Sequence, residues 1–130
     1  MTTFFCPSCW AEIREEQDPC PFCGCAISAL LEGKTYTDRL IDALNHPEST
    51  TPVRAAHILG MRRDGEAVPF LTRKAIDTHD VFLALACVEA LGKIGGDAAK
   101  KVLRELTHDA RKIVAQKARE MLRAAIPRSR

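Results

Sequence analysis

The sequence has few aromatic side chains and no long hydrophobic run. Only 5% of its 130 residues are aromatic, with one Trp and one Tyr among them. The longest apolar stretch runs from Val81 to Val88, which is too short to span a bilayer. The first residues, Met-Thr-Thr-Phe-Phe-Cys, have neither the basic start nor the apolar core of a signal peptide. We therefore expect a cytoplasmic protein with no membrane partner.

The common catalytic motifs are also missing. The chain has no Gly-rich phosphate loop, no Ser nucleophile elbow and no His-Glu metal helix. No set of residues is spaced for acid-base or nucleophilic chemistry. We expect no catalytic residue, no small-molecule substrate and no enzyme activity.

Charge is distributed unevenly along the chain. Residues 1–33 contain one base and five acids, a net charge of −4, whereas residues 34–130 contain eighteen bases and twelve acids, a net charge of +6. The change of sign indicates two units with different surfaces. Ala and Leu are abundant in the second unit, which favours closely packed helices.

Cysteines are concentrated near the N-terminus, at positions 6, 9, 20, 23 and 25. The spacing C-x2-C-x10-C-x2-C is typical of a tetrahedral four-thiolate site, because each C-x2-C turn places two sulfurs on one side of a tight loop. About 25 residues bury too little apolar surface to fold without a bound metal or a disulfide. We predict that one structural Zn²⁺ is bound by Cys6, Cys9, Cys20 and Cys23.

Three alternatives remain open at this site. One is a disulfide pair, which would require export, and nothing in the sequence points to export. Iron can occupy the same four sulfurs. Cys25 can replace Cys23 as a ligand, although the two-residue spacing favours Cys23. A closed shell of four thiolates leaves no position for a catalytic water, so we expect the metal to be structural.

The N-terminal segment reads FCPSCWAEI at positions 5–13 and CPFCG at positions 20–24. It resembles the short zinc-ribbon domains at the start of many bacterial proteins. Trp10 departs from that pattern, which usually has Gly after the second Cys. The resemblance implies a structural metal and a recognition or docking role.

From Thr35 onward, apolar residues recur at intervals of three and four, which predicts six helices. Asp80 and Asp109 are predicted to cap two of them. The pairs Leu59-Gly60 and Leu91-Gly92 lie 32 residues apart. Helical hairpins that repeat at this spacing cannot bury their apolar faces alone, which indicates a stacked solenoid.

Three segments of this region carry the repeat: VRAAHILG at 53–60, AVPFL at 67–71 and ACVEALGKIG at 86–95. They resemble HEAT-type repeats of the short bacterial form first associated with phycobilisome lyases. The resemblance implies a right-handed stack that binds another macromolecule through the concave face formed by its second helices.

We thus predict a mostly α fold, a short HEAT-like α-solenoid of about three helix pairs with a small N-terminal zinc ribbon. The expected organisation is a ribbon at 1–27, a linker at 28–35, helical repeats at 36–126 and a tail at 127–130.

Exposed bases on the second helices are the candidate partner-binding residues. They are Arg73, Lys74, Lys100, Lys101 and Arg104. The predicted function is a non-enzymatic adaptor that binds a protein through this face. A nucleic-acid-binding accessory role is the alternative, although the strip has no aromatic side chains to stack on bases. The strip could also contact the protein's own acidic ribbon.

Overall fold

The N-terminal unit is a small hairpin joined to two cysteine turns. The structure is a computed structural model that describes residues 4–13 and 17–125. Strand β1, Phe4–Phe5, pairs antiparallel with strand β2, Glu12–Ile13, so that Phe4 lies opposite Ile13. The two strands flank the first cysteine turn. The buried residues of this unit are Cys6, Ile13 and Cys20.

A short helix that the periodicity did not predict follows the second cysteine turn. Helix α1, Ile27–Glu32, lies mostly within the predicted linker, residues 28–35. The Asp18 carboxylate accepts hydrogen bonds from the amides of Ile27 and Ser28, at 2.8 and 3.2 Å. Hydrogen bonds from Ser28 and Ile27 also hold the pKa of Asp18 below its ordinary value. The helix therefore begins under a cap supplied from the segment between the two cysteine turns.

The six helices predicted from the apolar period are all present. They are α2 (Tyr36–Ala43), α3 (Thr50–Arg62), α4 (Val68–Asp77), α5 (Val81–Ile94), α6 (Gly96–Leu106) and α7 (Lys112–Ala125). A single 3-10 turn, Gly65–Ala67, leads into α4. Among the described residues, no helix is both long and apolar enough to cross a bilayer.

Capping side chains and a glycine determine where several helices begin and end. Thr35 and Asp38 form a reciprocal capping box at the start of α2. The Asp80 carboxylate accepts hydrogen bonds from the amides of Phe82 and Leu83, as predicted for the start of α5. Helix α5 ends at Gly95, whose φ of 70° favours glycine.

The helices form two rows, as expected for a short solenoid. Helices α3, α5 and α7 pack side by side in the first row, while α2, α4 and α6 form the second row and each packs on the helix that follows it. One apolar core fills the space between the rows. Its largest fully buried residues are Leu59, Leu71, Leu91, Leu103, Val88, Val114 and Cys87.

The repeated Leu-Gly pair has a packing role in the first row. A Cβ added at Gly60 would lie 2.8 Å from the Ala90 Cα, and one added at Gly92 would lie 2.8 Å from the Met121 Cβ. Glycine therefore lets α3 approach α5, and α5 approach α7. Aligning Leu122 of α7 with Leu91 of α5 places Arg123 at the glycine position, one residue short of the 32-residue repeat; Arg123 is exposed and has no further described helix beside it. The absence of Gly there fits the last helix of a row.

Candidate functional site

The two cysteine turns have the same backbone geometry. The amide of Trp10 donates to the Cys6 carbonyl at 2.8 Å, and the amide of Gly24 donates to the Cys20 carbonyl at 2.9 Å. In both turns the first cysteine is buried and the second is exposed. The repeated geometry directs both pairs of sulfurs toward one point.

The four predicted ligands come together as the spacing indicated. Their Sγ atoms all lie within 4.8 Å of one another. Two distances across the turns are 3.7 Å, between Cys6 and Cys23, and 3.8 Å, between Cys9 and Cys20. A tetrahedron with metal–sulfur bonds of about 2.3 Å has edges of about 3.8 Å. The cluster thus has the dimensions of a four-thiolate metal site.

Backbone amides support the buried sulfurs of the cluster. The amide of Ser8 lies 3.4 Å from the Cys6 Sγ, and the amide of Phe22 lies 3.4 Å from the Cys20 Sγ. Such donors stabilise a thiolate and orient it toward a metal. The two turns again use equivalent positions, one residue before the second cysteine.

The close thiols alter one another's ionisation. Burial opposes the Cys6 thiolate, but hydrogen bonds from the Cys9 and Ser8 amides outweigh it and lower the pKa of Cys6 to about 6. The Ala11 amide favours the Cys9 thiolate, but partial desolvation by neighbouring atoms and the nearby sulfurs raise the pKa of Cys9 to about 12. The Cys25 amide also lowers the pKa of Cys23, so the Cys6 and Cys23 thiolates form readily and disfavour ionisation of the neighbouring thiols. A divalent cation bound between them would remove this repulsion.

Cys25 lies beside the cluster without belonging to the four-sulfur set. Its Sγ is 3.5 Å from that of Cys6. Its carbonyl accepts from the Cys20 amide at 2.9 Å, as the Ala11 carbonyl accepts from the Cys6 amide at 3.1 Å. Cys25 therefore occupies the position that Ala11 has in the first turn. Burial, followed by the Cys6 and Cys23 sulfurs, raises the pKa of Cys25 to about 12.

Trp10 occupies a left-handed backbone position. Its φ is 60°, and Gly24, at the equivalent place in the second turn, has a φ of 78°. A bulky residue at positive φ is strained by about 1–2 kcal/mol. Its indole packs edge-on against His46, with ring centroids 5.3 Å apart, and the Phe5 ring packs against the same His46 at 4.4 Å. The strained turn therefore places an aromatic ring on the loop after α2.

This contact joins the cysteine unit to the helical unit. His46 lies between α2 and α3, and its Nδ1 accepts a hydrogen bond from the Glu48 amide at 3.1 Å. The contact is aromatic and lies beside the first helix of the repeats. It does not involve the five bases of the predicted strip, and an electrostatic contact between strip and ribbon stays a prediction.

The five predicted partner-binding residues do not form one strip. Arg73 and Lys101 line a groove between α4 and α6. Lys74 is half-buried, and its Nζ donates to the Asn45 Oδ1 at 2.6 Å. Lys100 is half-buried and Arg104 is exposed, and neither lines that groove. Adjacent residues on a helix differ by about 100° in direction, which separates Arg73 from Lys74 and Lys100 from Lys101.

Sequence reasoning did not single out Phe82, although this residue is 78% exposed. A signal was available, because Phe82 lies off the stripe formed by Leu83, Cys87, Ala90 and Leu91. Cys87 itself is fully buried, and burial raises the pKa of its thiol to about 12, as befits an inert core residue.

Comparison with known proteins identifies the helical part. A match to the family described as HEAT repeats covers residues 37–123, which is most of the chain. This match does not distinguish the lyase-associated subtype, which stays a prediction. No curated protein and no solved structure matches the chain significantly.

Proposed function

Because the chain belongs to the HEAT-repeat family, we propose that it is a non-enzymatic adaptor that binds a protein partner along the row formed by α2, α4 and α6. HEAT repeats are generally protein-interaction scaffolds. The groove between α4 and α6 supports this proposal. It has a volume of about 660 Å³ and an open, largely apolar floor that includes Val68, Ile76 and Val102.

The charge of this second-row groove favours a protein over a nucleic acid. Two cations, Arg73 and Lys101, line it together with two anions, Asp77 and Glu105. The groove is therefore neutral, whereas a phosphate backbone requires uncompensated cations. An apolar centre with a mixed polar rim is the usual character of a protein interface.

Side chains for a hydrophobic contact are present on α4. Ile76 is 54% exposed and Phe70 is 51% exposed. Pro69 and Ile76 line the groove itself. Burial of apolar side chains at the centre of an interface supplies most of its affinity. We propose that Ile76 is one such central contact, with Arg73 and Lys101 at the rim.

We further propose that Cys6, Cys9, Cys20 and Cys23 bind one structural Zn²⁺. The sulfur spacing, the paired turns and the amide donors support this proposal. Thiolate ligands require a reducing compartment, for which we propose the cytoplasm. The metal would hold together a unit whose only described core residues are two of its own cysteines and Ile13.

Metal identity and ligand set can be tested together. We expect the purified protein to contain one zinc per chain and no visible absorbance, whereas iron would colour it. Cys23→Ser should abolish tight binding, and the matched variant Cys25→Ser should retain it. Equal metal loss in both variants, or loss in Cys25→Ser alone, would show that the ligand set is wrong.

The partner proposal can be tested by affinity purification from the native source with nuclease present. We expect a defined protein to be retained by the wild type and lost with Ile76→Asp. Ile113→Asp is the matched control, since Ile113 is 52% exposed on α7 and lies outside the groove. A partner that is released by nuclease, or that is lost equally from both variants, would contradict the proposal.

A further inference from the structure

A second groove lies on the opposite row, between α3 and α5. It has a volume of about 600 Å³, close to that of the second-row groove between α4 and α6. One face of α3, from Thr50 to His57, and one face of α5, from Phe82 to Lys93, line this first-row groove. Lys117 of α7 also contributes. The groove therefore follows the two helices along most of their length.

Apolar side chains line part of the first-row groove. Val53, Phe82 and Leu85 line it near the N-terminal ends of the two helices. Phe82 is 78% exposed, the largest exposed fraction among the described large hydrophobic residues. Its ring contributes little to the core and remains available for a contact. Aromatic side chains beside a groove are frequent anchors of protein interfaces.

The same groove carries excess positive charge. Arg54, Lys93 and Lys117 line it, and Glu89 is the one acid among its lining residues. The Lys93 Nζ lies 3.3 Å from the Glu89 Oε1, and the Lys117 Nζ lies 3.9 Å from the Glu89 Oε2. One carboxylate is therefore shared by two ammonium groups. Within residues 4–13 and 17–125, Arg54 forms no ion pair at all.

We propose that the first-row groove binds an acidic peptide. An apolar or aromatic side chain of the peptide packs against Phe82, and its carboxylates lie against Arg54 and Lys93. The span from Phe82 to Lys93 is about 16 Å at 1.5 Å per residue. An extended segment of about five residues covers that length at ~3.3 Å per residue.

Charge and shape together select this occupant. A segment with only apolar residues would leave the excess positive charge of the groove unpaired, which costs affinity. A nucleic-acid backbone would meet Glu89 among these cations, and one aromatic ring offers no continuous stacking platform. An acidic segment with an apolar anchor satisfies both the apolar and the cationic side chains of the groove. The site is on the row opposite the proposed adaptor groove and does not depend on it.

The test uses the full-length, zinc-loaded chain and a phage-displayed library of random peptides of about seven residues, long enough to cover the groove. We expect enrichment of peptides that combine an apolar or aromatic residue with Asp or Glu. A labelled synthetic version should bind in fluorescence anisotropy. Phe82→Ala and Arg54→Glu should each weaken it about tenfold or more.

Matched controls separate this site from the second row. Phe70→Ala removes a ring of similar type, 51% exposed on α4, and should leave peptide binding unchanged. Ile76→Asp should do the same, so failure of the adaptor proposal and failure of this one are distinguishable. Phe82 and Arg54 are both exposed, and unchanged melting curves will show that their variants fold.

Several results would overturn the proposal. They are the absence of enriched peptides, enrichment without acidic residues, and binding that survives Phe82→Ala. A labelled single-stranded oligonucleotide that binds more tightly than any peptide, and is lost with Arg54→Glu, would identify a phosphate backbone instead. A dimer in sedimentation that Phe82→Ala dissociates would identify a second copy of the chain.

Discussion

Gly60→Ala tests the close approach of α3 and α5. The added Cβ would lie 2.8 Å from the Ala90 Cα, 3.0 Å from the Ala90 Cβ and 3.6 Å from the Ala90 carbonyl oxygen. Real carbon contacts of this kind are about 3.5–4.0 Å. The obstacle is backbone and cannot rotate aside, so the two helices must separate.

The size of the effect follows from two opposing contributions. Overpacking of a core costs typically about 1–3 kcal/mol. We expect the upper end, about 3 kcal/mol, because the nearest atom is a Cα. Ala is preferred over Gly inside a helix by about 1 kcal/mol, which offsets part of the cost. The free energy of unfolding should therefore fall by about 2 kcal/mol, which lowers Tm by roughly 10 °C in a domain of this size.

Thermal unfolding followed by far-UV circular dichroism measures this shift. Gly65→Ala is the matched control, because a Cβ at Gly65 has no atom within 4 Å and Gly65 lies at an ordinary negative φ. That variant should melt at or slightly above the wild-type Tm. A Gly60→Ala protein that melts as high as Gly65→Ala would refute the packing role of the repeated glycine.

Three further changes test the cap, the aromatic contact and one ion pair. Asp80→Ala removes the carboxylate that caps α5 and should lower the free energy of unfolding by about 1 kcal/mol in urea melts. Trp10→Gly relieves the left-handed strain but removes the ring on His46, so zinc content should persist while ¹⁵N relaxation shows the cysteine unit tumbling more freely. The hydrogen bond from Arg111 holds the pKa of Asp109 below its ordinary value. A lowered folded-state pKa stabilises the protein above the unfolded-state pKa of about 4, and this stability is lost as pH falls further. Arg111→Ala should reduce that acid-dependent loss, measured by urea unfolding at neutral and acidic pH.

Each of these predictions has a contradicting result, and two of them have a matched control. Asp97→Ala, in the first turn of α6, lacks the paired amide bonds of Asp80 and should cost less. Equal losses in both variants would contradict a specific cap. Arg104→Ala removes an exposed base and should leave the acid response unchanged. An Arg111→Ala protein with the wild-type acid response would show that Asp109 contributes nothing to it. Unchanged ¹⁵N relaxation in Trp10→Gly would show that other contacts hold the cysteine unit.

Arg111 forms tertiary hydrogen bonds that sequence periodicity could not predict. Its guanidinium donates to the Ala75 carbonyl at 2.7 Å and to the Thr78 carbonyl at 3.1 Å, at the C-terminal end of α4. These partners lie more than thirty residues earlier in the chain. A single Arg in a loop between helices gives no sign of such a contact, because exposed Arg is the default in loops.

Local information in the sequence determined the cysteine cluster and the six main helices. The C-x2-C spacing is short enough that each turn alone orients its two sulfurs. The apolar period is equally local, since residues three and four apart share a face in any α-helix. The start of α5 was also predictable, because Asp80 bonds to amides two and three residues ahead.

Helix α1 was not predicted, because the contact that caps it is not local in the sequence. Ala26, the residue before it, supplies no side-chain cap, and the cap comes from Asp18, eight residues earlier. A helix of six residues has too weak a period to be recognised, and isolated helices of that length are not stable. Its first turn depends on a hydrogen-bonded contact with Asp18, in the segment between the two cysteine turns.

Tertiary structure alone decided which surfaces the repeats present. The sequence marked Gly60 and Gly92 as a repeat, but only the packing of α3, α5 and α7 shows that a Cβ there would meet a neighbouring helix. The sequence likewise gathered five bases into one strip, whereas the structure directs Lys74 toward Asn45 and sets Arg73 in a groove with acids. The sequence shows how many charges each segment carries. Which of them share a surface depends on the direction of each side chain around its helix and on the neighbouring helix.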